Sequence, residues 1–131
     1  MPGYLLDTDI VSYALRGHRS IVIRILRERS EDVYISSIGL AELRYGAHRA
    51  NSTKTRKLID TFVESVTVLP FDQAAADTFG IIATELARKG LPIGEFDTLI
   101  AAHALSAGLI LVTNNMRHFE RVSGLQVENW T

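Results

Sequence analysis

Short apolar runs along this chain alternate with longer stretches in which apolar residues recur at helical spacing. The short runs are rich in β-branched and aromatic residues, which favour strands. They predict strands at 3–6, 33–35, 66–69, 109–112 and 125–128. The helical spacing predicts helices over 10–16, around 21–26, over 38–50 with Ser37 as its cap, around 58–63, between Asp72 and Gly90, and over 98–107.

Strands that alternate with helices predict a parallel sheet covered by helices on both faces. The run 109–112 contains no polar residue, as expected of a strand that is buried on both faces. Right-handed crossovers place the carboxyl ends of all parallel strands along one edge, where ligands bind in open α/β sheets. No internal repeat and no long linker divides the chain, so we expect one α/β domain over residues 1–131.

Composition narrows the class of protein. The 131 residues are 47% hydrophobic, enough to build a core, and none of them is cysteine. The lack of cysteine excludes disulfide scaffolds, zinc ribbons and thiol nucleophiles. No apolar run approaches the roughly 20 residues of a membrane helix. The first residues lack a basic segment, and Asp7 and Asp9 interrupt the apolar run, so we expect no signal peptide and a cytoplasmic protein.

The net charge of −1 is unevenly distributed. Residues 16–57 carry ten Lys or Arg against four Asp or Glu, whereas residues 58–131 carry four against nine. This asymmetry is compatible with a surface that holds a polyanion beside a separate carboxylate site. Solvated helix faces explain the same charges equally well, so charge alone leaves both interpretations open.

Acidic and polar residues follow the apolar runs at corresponding positions. Asp7 follows the first strand, Glu42 lies one turn into the helix after the second, Asp97 precedes the apolar helix, and 113–115 follow the strand at 109–112. Asp7 and Asp97, taken singly, are explained as helix caps, whereas Glu42 interrupts the apolar face of its helix. Several acids at one sheet edge repel each other without a cation. Oxygen ligands favour Mg²⁺ or Mn²⁺. The pattern predicts metal-dependent hydrolysis of a phosphoester in RNA or DNA.

Four segments of the chain resemble known motifs. Residues 4–12, 36–46 and 92–104 are similar, in this order, to the first three motifs of PIN-domain nucleases. Residues 111–122, with the end of the chain, resemble the close of a VapC-type toxin. The resemblance covers nearly the whole chain. Four motifs in register indicate the family much more specifically than one motif would.

This resemblance implies a three-layer α/β/α fold with a central, mostly parallel sheet of about five short strands. VapC-type toxins are Mg²⁺- or Mn²⁺-dependent endoribonucleases of type II toxin–antitoxin modules that inhibit translation and growth. They usually form homodimers, and a VapB-type antitoxin neutralises them and brings operator DNA to the complex. The expected substrate is structured RNA, with tRNA, and initiator tRNA in particular, as the first choice.

By position in the motifs, Asp7, Glu42 and Asp97 correspond to the metal-binding catalytic acids. Asn115 stands where many PIN domains have a fourth acid, so we expect one tightly held ion and weaker support for a second. Supporting positions are Thr113, which matches a small hydroxyl residue beside the site, Asp9, where relatives often have Asn, and Glu95, where small residues or Pro are usual. Glu95 faces either the metal or the solvent.

Basic residues are candidates for RNA contacts. Arg44 lies nearest to the acids in sequence, and Arg16 and Arg24 are further candidates for tracking a phosphate backbone. The four histidines stand at no metal-ligand spacing. Trp130 is expected to be a packing anchor rather than a base-stacking platform. Helices within 10–65 are expected to form the antitoxin groove.

Parts of the sequence also fit other classes of protein. The Asp7-Thr8-Asp9 sequence after a strand also matches the nucleophile motif of haloacid-dehalogenase-like phosphatases. That family needs a late Lys and acidic pair, and receiver domains need a similar Lys, but the lysines are Lys54, Lys57 and Lys89. A further alternative is a catalytically weak, PIN-like partner-binding subunit of a repressor complex, marked by Asn115 in place of an acid.

Overall fold

The structure, a computed structural model, describes residues 2–131, and Met1 lies outside the described residues. A single sheet of five strands has the order β3-β2-β1-β4-β5. Every neighbouring pair in this sheet is parallel. The strands are β1 (Tyr4–Leu6), β2 (Val33–Ser36), β3 (Thr67–Leu69), β4 (Ile110–Val112) and β5 (Val127–Glu128).

Seven α-helices connect or follow these strands within residues 2–131. Six of them have at least eight residues, and α7 is a single turn. They are α1 (Thr8–Leu15), α2 (Arg19–Arg27), α3 (Ser37–Arg49), α4 (Thr53–Ser65), α5 (Gln73–Arg88), α6 (Glu95–Ala107) and α7 (Met116–Phe119). None of the helices in this part of the chain combines the length and the apolar character needed to span a membrane.

Both faces of the sheet are buried, as the apolar strands predicted. Tyr4 and Leu6 of β1 face a cluster formed with α1, α2, α3 and α4, whereas Leu5 faces a second cluster formed mainly with α5 and α6. Successive side chains of a strand point to opposite faces, so the three residues of β1 supply both cores. The three-layer α/β/α architecture is therefore confirmed, and the sheet is entirely parallel.

The strand order creates a switch point at the carboxyl ends of β1 and β4. The chain builds outward from β1 through β2 to β3 on one side, and β4 and β5 are added on the other. Crossover connections diverge at such a point and leave a crevice above the strand ends. Asp7 follows β1 and Thr113 follows β4, so these two residues flank the crevice.

Several element boundaries differ from the prediction. The cap of α3 is Ser36 rather than Ser37, because the Ser36 side chain accepts a hydrogen bond from the Ile38 amide. The helix predicted over 98–107 begins at Glu95, after Gly94 with a φ of 93°. The last strand is limited to Val127–Glu128. The single turn α7 was not predicted, since four residues carry no readable periodicity.

Two side chains test the assignment of core and surface. Leu111 of β4 is 0% exposed, whereas Leu26, which had been placed in the apolar stripe of the second helix, is 78% exposed. We expect Leu111→Ala to lower the free energy of unfolding by about 2–5 kcal/mol through lost burial and a cavity. Leu26→Ala is the matched control, with an expected change within about 0.5 kcal/mol. Urea denaturation measures both, and equal effects would contradict the assignment.

Candidate functional site

Asp7 occupies the centre of the switch-point crevice. Its side chain is 7% exposed and caps α1, since Oδ1 accepts a hydrogen bond from the Thr8 amide at 2.8 Å. Oδ2 accepts a hydrogen bond from the Thr113 hydroxyl at 2.9 Å. Asp7 is therefore a helix cap, and the same carboxylate is also fixed across β1 and β4.

The electrostatic environment of Asp7 disfavours its charged form. Burial is the main cause and the nearby Asp9 carboxylate the second, and together they raise the pKa of Asp7 to about 7. The hydrogen bonds from Thr113 and Thr8 act in the opposite direction, and the charge of Asp97 raises the pKa further. The protein thus keeps a buried carboxylate without a basic partner, and a cation would stabilise its ionised form.

Glu42 approaches this site from α3. Its Oε1 atom accepts a hydrogen bond from the Thr8 hydroxyl at 2.8 Å, so Thr8 connects the two acids through its amide and its side chain. Gly39 lies next to Thr8, since a Cβ atom at this position would be in ordinary van der Waals contact with Thr8 Oγ1, at 3.5 Å. Burial raises the pKa of Glu42, the Thr8 hydrogen bond lowers it, and the charge of Asp97 raises it.

Asp97 reaches the site from the first turn of α6. Its Oδ2 atom lies 2.9 Å from Nδ1 of His118, although the atoms are not aligned as a hydrogen bond. Burial raises the pKa of Asp97, and the charge of His118 lowers it. Because Asp97 acts electrostatically on both Asp7 and Glu42, the three predicted acids lie in one neighbourhood at the sheet edge.

The donor set fits a hydrated, hard divalent ion. Its side-chain atoms are oxygens of carboxylates and hydroxyls, which Mg²⁺ and Mn²⁺ prefer. Among residues 2–131, no three His, Asp or Glu side chains lie close enough together to hold a metal ion between them. Mg²⁺ usually retains several waters and contacts only one or two carboxylates directly, so it does not need three such ligands. Glu42 and Asp97 are instead held by Thr8 and His118.

The supporting residues take different positions. Thr113 is buried against Asp7, and the Asn115 amide donates to its hydroxyl at 3.0 Å. Asp9 accepts a hydrogen bond from the Asn114 amide at 3.2 Å, and burial raises its pKa. Its other oxygen is buried without a hydrogen-bond partner among the described residues. Asn115 and Glu95 both have exposed side chains, at the starts of α7 and α6.

The predicted RNA-binding arginines have different surroundings. Arg16 ends α1 and lines the same groove as Thr8 and Glu42. Arg44 pairs with Asp60 of α4, with Nη1 and Oδ1 2.7 Å apart. Arg24 contacts Glu28, Glu128 and Tyr4 rather than the three predicted acids.

A separate cluster accounts for Arg24. Its guanidinium carbon lies 4.6 Å from the centre of the Trp130 ring, and it forms ion pairs with Glu28 and Glu128. Trp130 is 5% exposed and packs against Tyr4, so its predicted role as a packing anchor agrees with its burial.

Sequence reasoning missed two residues of the site. Thr8 stood beside Asp7 in the first motif, and its adjacency was the available signal. His118 was set aside because no metal-ligand spacing included it. Its contact with Asp97 depends on the way that α7 folds back toward α6, which no local pattern indicates.

Comparisons with known proteins agree with this geometry. Residues 4–125 match the family described as PIN domain. The tRNA(fMet)-specific endonuclease VapC of Shigella flexneri is 43% identical over 100% of both chains. Ribonuclease VapC2 of Haemophilus influenzae is 41% identical over 99% of both.

Solved structures give the same result. The structure of VapBC2 from Rickettsia felis, bound to a DNA fragment from its promoter, matches with a TM-score of 0.92 and 36% identity over 98% of both chains. The DNA-bound VapBC of Salmonella typhimurium matches with a TM-score of 0.91 and 39% identity over all of both chains. The chain belongs to the PIN-domain family of nucleases and, within it, to the VapC ribonucleases.

Proposed function

We propose that this chain is an Mg²⁺-dependent endoribonuclease toxin, in which Mn²⁺ can substitute, and that Asp7, Glu42 and Asp97 hold the ion. The observation that carries this proposal is the buried Asp7 carboxylate, which has other acids but no base beside it. An ion bound there would activate a water and stabilise the negative charge that develops on the phosphodiester. The products would be a 5′-phosphate and a 3′-hydroxyl.

The chain's own residues would orient the ligands. Thr113 and the Thr8 amide each occupy one oxygen of Asp7, which fixes the plane of its carboxylate. The Thr8 hydroxyl holds Glu42 in the same way. Asp9 would add negative charge at the rim, whereas the exposure of Glu95 supports its solvent-facing interpretation. Asn115 would contribute at most through a water, which agrees with one tightly held ion.

Structured RNA is the proposed substrate. The Shigella flexneri relative is named a tRNA(fMet)-specific endonuclease, so initiator tRNA is the first substrate to test, and its cleavage would inhibit translation and growth. Arg16, which lines the groove beside Glu42, is the best placed of the predicted arginines for a phosphate contact. Arg44 is a weaker candidate because Asp60 already neutralises it, and Arg24 is the weakest.

A VapB-type antitoxin is the proposed partner. A groove of about 320 Å³ lies between α1, α3 and α4, within the residue range predicted for antitoxin binding. Its apolar walls suit an apolar segment of a partner, and Thr8 and Glu42 at its end belong also to the acidic site. Operator DNA would be bound through the antitoxin, and the VapBC complexes of Rickettsia felis and Salmonella typhimurium are bound to DNA. A homodimer in the cytoplasm is also proposed.

The alternative of a catalytically weak partner-binding subunit rests on the exposed Asn115, which takes the place of a fourth acid. The two functions differ in one assay. Cleavage of RNA in Mg²⁺ that EDTA abolishes would support the nuclease, whereas tight antitoxin binding without cleavage would support the subunit.

A matched pair of substitutions on α6 tests the acidic site. Asp97→Asn removes a charge near Asp7 and Glu42, and Glu95→Gln removes an exposed charge two residues away. We expect Asp97→Asn to lower kcat for tRNA cleavage at least about 100-fold, since metal and charge stabilisation contribute several kcal/mol. Glu95→Gln should stay within about threefold of the wild type, as a solvated charge contributes little. Equal losses in both variants would contradict the assignment.

The raised pKa of Asp7 predicts a pH-dependent stability in EDTA. The unfolded carboxyl titrates near 3.8 and the folded one near 7, so between these values the folded state binds more protons. The free energy of unfolding therefore falls as the pH rises through this window and levels off above pH 7. Asp7→Asn removes the ionisable group and therefore this loss of stability. The side-chain oxygen of the asparagine can still accept the hydrogen bond from the Thr8 amide.

Above pH 7, we expect the metal-free Asp7→Asn variant to be more stable than the wild type by about 1–3 kcal/mol. This advantage should disappear below pH 3.8. Added Mg²⁺ should stabilise the wild type and not the variant, because only the wild type binds the ion in its folded state. Chemical denaturation at several pH values measures both effects, and a variant that is less stable at every pH would refute the prediction.

A substitution in the groove is expected to change the affinity for the antitoxin without changing the fold. Leu58 lines the groove and is 38% exposed, so a charge at this position remains accessible to water. Leu58→Glu should weaken binding of the antitoxin at least about tenfold, since one buried apolar side chain contributes about 1.5–3 kcal/mol. Ile81→Glu, at an exposed position outside this groove, is the control for a surface charge. Calorimetry measures both, and unchanged affinity in Leu58→Glu would place the antitoxin elsewhere.

A further inference from the structure

His103 is a buried ionisable residue that the proposed chemistry does not use. It lies on α6 and is 1% exposed. Its Nδ1 atom lies 2.8 Å from the hydroxyl oxygen of Ser36, which is also 1% exposed. This contact joins positions 67 residues apart in the sequence, so its formation depends entirely on the packing of α6 against the end of β2.

The hydrogen-bond pattern assigns the direction of this contact. Ser36 Oγ already accepts a hydrogen bond from the Ile38 amide at 3.0 Å, so its hydrogen is free to be donated to His103. Nδ1 is then the acceptor, and the ring proton lies on Nε2. Burial lowers the pKa of His103, which keeps the ring neutral as this arrangement requires.

The remaining surroundings of the ring restrict its orientation. The Phe71 ring packs edge-on against it, with the ring centres 5.2 Å apart. The backbone of Pro70 lies close enough to favour the protonated ring, although Nε2 has no aligned hydrogen-bond partner among the described residues. The contact with Ser36 is therefore the one well-aligned hydrogen bond described for this imidazole.

His103 and Ser36 are each separated from one of the acids by the same number of residues. Asp97 precedes His103 by six residues on α6, and Glu42 follows Ser36 by six residues into α3. Six helical residues span about 9 Å, so a tilt of either helix at this contact displaces its carboxylate. The two helices are neighbours here, since a Cβ atom on Gly39 of α3 would be in ordinary van der Waals contact with Ile100 of α6, at 3.9 Å.

We propose that the His103–Ser36 hydrogen bond is a positioning contact, which fixes the helix that carries Asp97 relative to the helix that carries Glu42. Ser36 transmits this constraint directly, because the same hydroxyl caps the first turn of α3. His103 acts through these helices and touches none of the three acids. The inference rests on the proposed function, since the positioning matters only when both carboxylates serve one divalent ion.

Substitutions at both ends of the contact test this inference. His103→Leu fills similar space without an acceptor, and His103→Asn keeps an acceptor near the Nδ1 position. Ser36→Ala removes the donor from the other side, together with the cap of α3. Ser52→Ala is the matched control, because it removes the cap of α4, where Ser52 Oγ accepts a hydrogen bond from the Thr55 amide at 3.1 Å.

The principal measurement is the affinity for Mn²⁺ by calorimetry on the full chain, without RNA. We expect His103→Leu and Ser36→Ala to weaken Mn²⁺ binding about tenfold, at the low end for residues that support metal ligands. His103→Asn should recover most of the affinity, and Ser52→Ala should retain it. In RNA cleavage, kcat should fall with KM unchanged, and the double variant should be no worse than either single one.

Thermal unfolding in EDTA separates positioning from loss of fold. If His103→Leu and Ser36→Ala fold and keep the wild-type affinity for Mn²⁺, the contact supports the core alone and the inference is wrong. If His103→Leu does not fold, Ser36→Ala and His103→Asn decide the question by the same criterion. A wild type that neither binds Mn²⁺ nor cleaves RNA would overturn the proposed function, and the positioning role with it.

Discussion

The burial of the Asp7 carboxylate above the junction of β1 and β4 is the constraint on which the rest of the site depends. A charge placed there is costly, because burial and the neighbouring Asp9 both favour the protonated form. Hydrogen bonds from Thr8 and Thr113, one from each side of the switch point, offset part of this cost. These contacts fix the direction of the carboxylate but leave its charge without a counterion, as the proposed cation site requires.

The other acids are arranged around this fixed group by longer-range packing. Glu42 is tied to it by the Thr8 hydroxyl, and Asp97 is held from α6 with His118 beside it. The sheet supports both helices from below, since the two hydrophobic clusters pack on opposite faces of the same short strands. The rigid core thus holds together carboxylates whose mutual repulsion would otherwise drive them apart. The repulsion lowers the stability of the fold, and the proposed site is preorganised as a result.

The groove between α1, α3 and α4 shares Thr8 and Glu42 with the acidic site. Its apolar part and its polar end therefore form one continuous surface. A partner that covers this surface would bury apolar area at one end and meet uncompensated carboxylates at the other. Its affinity would depend on both contributions, and its position would restrict access to the acids of the proposed catalytic site.

The sequence by itself determined the alternation of strands and helices and the parallel sheet, and it nominated the candidate acids, because these follow from local periodicity and from motifs that stand in order. Local pattern also placed Asp7 at a strand end, where capping and chemistry coincide. It misplaced the cap of α3 by one residue, since Ser36 and Ser37 are equivalent in a local pattern, whereas in the structure Ser36 Oγ accepts a hydrogen bond from the Ile38 amide and Ser37 Oγ accepts one from the Phe71 amide.

The tertiary structure decided which hydrogen bonds and polar contacts surround the acids. Thr8 reaches Glu42 across 34 positions, Thr113 reaches Asp7 across 106, and His118 lies beside Asp97 through the turn of α7. It also placed Arg24 against Trp130 rather than near the carboxylates. Such contacts depend on the order of strands in the sheet and on the angles between packed helices. Both arise from the burial of the whole core, and no segment of the sequence contains that information by itself.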